Sequence, residues 1–182
     1  MDFVLVFKFL IENFNRQNID FAIIGGFALH FGGIARTTRD IDLLVLSESS
    51  NKIKDIMLKN GYKLLHESED VLNFYSENLQ LGRVDFLLAH RKYAIAMLKS
   101  AQEKDILEGK SKVRVLKIED QIGLKVQSSS NDPQRLHQDM ADIELLIKNN
   151  YPKLDLNVIR EYFELFGRIE ELEGILKGMK NV

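Results

Sequence analysis

The sequence has no cysteine, so disulfides, thiolate zinc sites and cysteine nucleophiles are excluded. It lacks an excess of positive charge: 25 Lys and Arg stand against 27 Asp and Glu, a net charge of −2. A protein whose main task is gripping duplex DNA by its phosphates carries more base than this. That lowers the expectation of a nucleic-acid partner, although a local basic patch stays open. No run approaches the roughly 18 apolar residues of a membrane span. The apolar start from Met1 to Leu10 does not read as a secretory signal. Asp2 stands where a basic n-region belongs, Lys8 interrupts the run, and no small-residue cleavage site follows. It reads as a core-packing helix, and a cytoplasmic location is the expectation.

What is present is ordinary globular composition. The chain has 182 residues, 45% of them hydrophobic and 29% charged. That suffices to bury a real core in one domain, or in one domain with a helical annex. Strand and helix signals mix up to about residue 117, and helices alone follow. Residues 2–16 read as a mostly apolar helix. Phe21-Ala22-Ile23-Ile24 is short, apolar and closed by Gly25-Gly26, the mark of a buried strand. Residues 27–32 suggest a short helix broken by Gly32-Gly33. Asp40 to Leu46 is a second strand, and residues 51–60 have helical spacing with Gly61 at the C-cap. Residues 62–66 and 71–76 can pair as strands. Residues 83–88 form another strand, and 91–103 a helix. Residues 113–116 alternate and read as a last, edge-type strand. Helices are expected near 118–128, 134–149, 155–166 and 168–179.

The chemistry concentrates between Ile24 and Leu43. Side chains alternate across a strand, so Asp40 and Asp42 share one face while Ile41 and Leu43 point into the core. Two adjacent carboxylates repel, and a cation is the usual remedy. An all-oxygen ligand pair suits Mg²⁺, which keeps waters and binds substrate phosphates. Gly25-Gly26 lets a backbone approach a ligand closely, and the helix start behind it suits a triphosphate. Asp85, flanked by Val84 and Phe86, joins the pair if its strand lies beside that of Asp40. Three carboxylates can hold two metal ions, one for the acceptor hydroxyl and one for the leaving pyrophosphate. Asp85 is alternatively the base for the acceptor proton. Arg36 and Arg39 flank the acidic pair, either as its counter-charges or, for Arg36, as a phosphate contact. Arg135 and Asp139 have the spacing of a helical ion pair. The four histidines share no ligand spacing.

An apolar residue, Gly25-Gly26, a spacer, Asp40-Ile41-Asp42 and a later strand carboxylate resemble the polymerase-β-like nucleotidyltransferase superfamily. The form Arg36-Thr37-Thr38-Arg39-Asp40-Ile41-Asp42 is closest to the AbiEii-type and MNT-type bacterial branches. The resemblance implies an α/β (α+β) fold, a small mixed sheet with a helical C-terminal part. It divides the chain into a catalytic core at 1–117 and a helical region at 118–182 packed on it. It implies a transferase moving an NMP from an NTP, with Mg²⁺ or Mn²⁺ held by Asp40, Asp42 and Asp85. Gly25, Gly26, Arg36 and Lys125 would bind the nucleotide, and Asp142, or Asp139, would orient Lys125 or the acceptor. The acceptor is a small molecule, tRNA or a protein. A homodimer, with residues 169–176 as one candidate seam, or a cognate antitoxin are the macromolecular partners it suggests. Two competing readings are an inactive nucleotide-binding or antitoxin-type module and a toxin that modifies tRNA.

Overall fold

A computed structural model describes residues 1–180. The chain forms two compact units. The first comprises Met1–Ala28 and Thr37–Leu116, and the second Leu29–Arg36 with the chain from Lys117 onward.

The first unit opens with helix α1 (Phe3–Arg16), capped by Asp2, whose carboxylate accepts from the Leu5 N–H at 3.0 Å. Val6, Phe7, Leu10 and Phe14 recur at helical spacing and form its buried stripe. Strand β1 (Phe21–Ile24) is buried at all four positions. Helix α2 (Gly25–Phe31) follows it directly. Next come β2 (Asp40–Leu46), α3 (Ser50–Lys59), β3 (Lys63–Glu67), β4 (Val71–Tyr75) and β5 (Arg83–Ala89). Helix α4 (Lys92–Ser100) and strands β6 (Gln102–Ile106) and β7 (Ser111–Val115) complete the unit. Gly61, at φ +83°, ends α3. It lets the Tyr62 N–H reach back to the Met57 carbonyl at 3.1 Å, as a Schellman cap requires.

The seven strands form one mixed sheet in the order β3-β4-β5-β2-β1-β7-β6. β1 pairs antiparallel with β2, while β2 and β5 run parallel. The core beneath is aromatic: Phe14 meets Phe21 and Phe86, and Phe86 meets Phe74, at centroid distances of 5.5 to 5.9 Å. Phe14, Phe74 and Phe86 are each almost fully buried, and such a side chain contributes roughly 1.5–3 kcal/mol.

One strand reading needs correction, and one strand falls partly where a helix was expected, over 91–103. The strand read at 113–116 is not an edge: β7 lies between β1, its parallel partner, and β6, its antiparallel one. The edge on this side of the sheet is β6, which the sequence does not announce. Gln102-Glu103-Lys104-Asp105 has no apolar alternation because one side of the strand has no neighbour and its residues stay largely exposed.

The second unit is helical: α5 (Ile118–Asn131), α6 (Leu136–Asn150), α7 (Leu156–Leu165) and α8 (Ile169–Lys180). Ile122, Val126, Ile143, Leu146, Ile147, Ile159 and Phe163 build its core, joined by Leu29 and Ile34 from the early segment and Leu172 and Leu176 from α8. The apolar face of the 169–176 run is therefore used within the unit. The amides of Asn149 and Asn150 donate to the carbonyls of Gly33 and Gly32, both at 3.0 Å, and fasten the 29–36 segment to the end of α6.

Candidate active site

Strand alternation sets Asp40 and Asp42 on one face of β2. Ile41 and Leu43 are fully buried, while Asp40 and Asp42 lie on the other face, half-buried. β5 runs parallel to β2 in a register that sets Arg83 beside Asp40 and Asp85 beside Asp42. Residues paired this way share a face of the sheet, so these four side chains form a square patch. β4 extends it, with Asn73 beside Asp85 and Tyr75 beside Arg83. One carboxylate oxygen from each of Asp40, Asp42 and Asp85 lies within 4.8 Å of the other two. Two such charges repel by roughly 1–3 kcal/mol, depending on how well water screens them. A divalent ion at ~2.1–2.5 Å from each oxygen bridges gaps of about this size, so the donor set fits one.

Asp40 and Asp85 are each held by side-chain hydrogen bonds. Thr38 Oγ1 donates to Asp40 Oδ1 at 2.7 Å. Asn73 Nδ2 donates to Asp85 Oδ1 at 2.8 Å. Arg83 Nε donates to both oxygens of Asp85, at 3.0 and 2.9 Å. The guanidinium of Arg83 holds its proton above the usual arginine range. The hydrogen bond to Asp85 is the main cause; burial opposes it, and the charges of Asp85, Asp40 and Asp42 add to it.

The glycines of the β1–α2 turn have a packing reason of their own. Gly25 has φ +61°, and a Cβ there would overlap the Asp42 carboxylate and lie 2.8 Å from the Asp42 Cβ. A Cβ on Gly26 would lie 2.8 Å from both Cβ and Oγ1 of Thr38. The absence of two side chains thus makes room for a carboxylate and for the hydroxyl that orients another.

In the second unit a separate charge cluster gathers five of the singled-out residues. Lys125 Nζ donates to Asp139 Oδ1 at 3.0 Å and to Asp142 Oδ2 at 2.7 Å. Arg36 Nη1 donates to Asp142 Oδ2 at 2.5 Å, and Arg135 Nε to Asp139 Oδ2 at 3.1 Å. Lys125 is only 12% exposed at its side chain, Asp139 0% and Asp142 8%, so these three are sheltered from water, while Arg135 stays exposed. Burial pushes the Asp139 carboxyl upward. The charge of Lys125, the hydrogen bonds from Arg135 and Lys125, and the charge of Arg135 outweigh it and hold the group below the usual range.

Sequence reasoning missed Thr38, Asn73 and Arg83. Arg83 carried a readable signal: at i−2 from Asp85 it shares that residue's face. Asn73 carried none, because the β4–β5 register cannot be read from a single strand.

The profile of the family described as "Nucleotidyl transferase of unknown function (DUF2204)" matches residues 6–181. No curated protein matches the sequence. Among solved structures, ANT(2″)-Ia in complex with adenylyl-2″-tobramycin is similar, with TM-score 0.63 and 18% identity. That match covers 90% of this chain and 95% of the other. The lincosamide antibiotic adenylyltransferase LnuA, lincomycin-bound, gives TM-score 0.56 and 17% identity, over 77% of this chain and 93% of its own. An antigenic nucleotidyltransferase-like protein from Paracoccidioides brasiliensis gives TM-score 0.55 and 17% identity, over 92% and 88%. At these identities the likeness is one of fold.

Proposed function

Because the chain belongs to this family of nucleotidyl transferases, within the nucleotidyltransferase superfamily, we propose that it moves an NMP from an NTP to a hydroxyl of a small-molecule acceptor, releasing pyrophosphate. The observation that carries the reading is the meeting of Asp40, Asp42 and Asp85 on one face of two adjacent strands. These three would hold Mg²⁺ or Mn²⁺, which when bound supplies charge neutralisation at the phosphates.

The chain's own residues supply the rest. Asp85, fixed by Asn73 on one side, is the carboxylate suited to accept the acceptor's proton. Thr38 keeps Asp40 turned to one side. The N–H groups of Gly25 and Gly26 are the proposed phosphate donors. Arg36 and Lys125 are the proposed cations for the triphosphate; Arg36 donates to Asp142, and Lys125 to Asp139 and Asp142. Catalysis of this kind is mainly positioning and charge neutralisation. The small-molecule acceptor rests on the adenylylated tobramycin and the lincomycin named with two proteins of similar fold.

The test incubates the purified protein with each α-labelled NTP, Mg²⁺ or Mn²⁺, and cell extract. Label should appear in the small-molecule fraction and disappear when Asp40→Ala and Asp42→Ala are combined, with far-UV circular dichroism unchanged. Label surviving in that double variant would refute the site. Label on tRNA or protein would move the acceptor to another class, and bound but unturned NTP would favour an inactive nucleotide-binding module.

A further inference from the structure

Arg83 is left without a task by the chemistry above, yet it stands inside the carboxylate patch. It lies on the strand of Asp85 two residues earlier, beside Asp40 on β2. Its Nε donates to both oxygens of Asp85. The contact is bifurcated from one nitrogen, Nε, and the two terminal nitrogens make no hydrogen bond among the described residues. The strong fork-to-fork arrangement of arginine and carboxylate is therefore not used. The partners also differ in exposure: the Arg83 side chain is 49% exposed and that of Asp85 16%. The anion is sheltered, while the cation sits at the surface in a pair that water screens and releases easily.

We propose that Arg83 is a resident counter-cation that competes with the divalent ion for Asp85. In the ion-free protein it takes up both oxygens of the third carboxylate, and an incoming cation must displace it toward solvent. The inference rests on the metal reading of the site. Its consequence is a weakened affinity for the ion alone, since only the fraction of molecules with Asp85 released can bind. A pair closed in nine molecules of ten weakens the apparent Kd about tenfold. Arg83 acts through Asp85 and is in this sense a positioning residue.

The experiment is a Mn²⁺ titration without nucleotide, followed by calorimetry or by the spin resonance of free Mn²⁺. It compares the unaltered protein with Arg83→Gln, Arg83→Met, Lys63→Gln and Asp42→Ala. Lys63 is a control for overall charge: it lies on β3 and pairs with Glu77 at 2.5 Å, both exposed. Arg83→Gln and Arg83→Met should each tighten Mn²⁺ binding about five- to tenfold, with Lys63→Gln staying within about twofold. Two variants of Arg83 guard against one that folds poorly. Unchanged or weaker binding in both, or equal tightening by Lys63→Gln, overturns the proposal while leaving the metal site standing. A protein whose Mn²⁺ binding is absent, or is untouched by Asp42→Ala, overturns the metal reading and this inference with it.

Discussion

Replacing Gly25 with alanine tests whether the turn exists to admit the Asp42 carboxylate. The perturbation has two parts. Gly25 has φ +61°, and an L-residue in that left-handed region costs about 1–2 kcal/mol. The new Cβ would also overlap the Asp42 carboxylate and press on the Asp42 Cβ at 2.8 Å. That Cβ is fixed by the pairing of Asp42 with Ile24, so it cannot rotate out of the way. Overpacking of this kind costs about 1–3 kcal/mol, and the total should reach about 2–5 kcal/mol. Gly109 separates the two parts. It belongs to the same unit and has φ +79°, and a Cβ there meets nothing within 4 Å. Gly109→Ala should therefore show the backbone part alone, about 1–2 kcal/mol. The assay is urea unfolding of both variants, with slopes compared to confirm a like transition. The two results should differ by at least about 1 kcal/mol, and Gly25→Ala alone should lose Mn²⁺ binding. Equal destabilisation within about 0.5 kcal/mol, or intact Mn²⁺ binding in Gly25→Ala, would refute the packing account of this glycine.

Asp139 supplies an acid limit. Its carboxyl is held below the usual range, so its stabilisation is fully present above the unfolded value near 4 and is lost as pH falls through the lower folded value. Urea midpoints measured from pH 6 down to 3 should fall in that lower window, and Asp139→Asn should flatten the fall. At neutral pH that variant should lose about 3 kcal/mol, because Lys125 and Arg135 lose a buried carboxylate; a loss below about 0.5 kcal/mol would contradict the burial of the cluster. Tyr162→Phe removes the hydroxyl that donates to Asp120 Oδ1 at 2.7 Å in a buried setting. It should cost about 1.5–3 kcal/mol by thermal melting, and a neutral result would show the bond to be dispensable.

The parts of the fold that were legible in the sequence have strong local periodicity. Asp40-Ile41-Asp42-Leu43 states both its conformation and its two faces, because alternation in a strand is a property of the strand alone. The same holds for the buried stripe of α1. The parts that were not legible depend on pairing. β6 is polar along its length and becomes a strand only through its register with β7. Placing Asn73 and Arg83 around Asp85 needs the β4–β5 and β2–β5 registers together. Lys125 is largely buried. Its burial follows from α6 presenting two carboxylates, Asp139 and Asp142, toward it, which neither helix declares by itself.

The interleaved path of the chain has a practical consequence. Leu29 and Ile34 belong to the helical core, although some eighty residues of sheet-forming sequence separate them from its four helices. A fragment cut at residue 117 would inherit a hole where those two side chains belong and would expose the apolar atoms around it. The helical part therefore cannot be exchanged between relatives, or expressed by itself, by a single cut in the gene; the short segment from 29 to 36 has to travel with it.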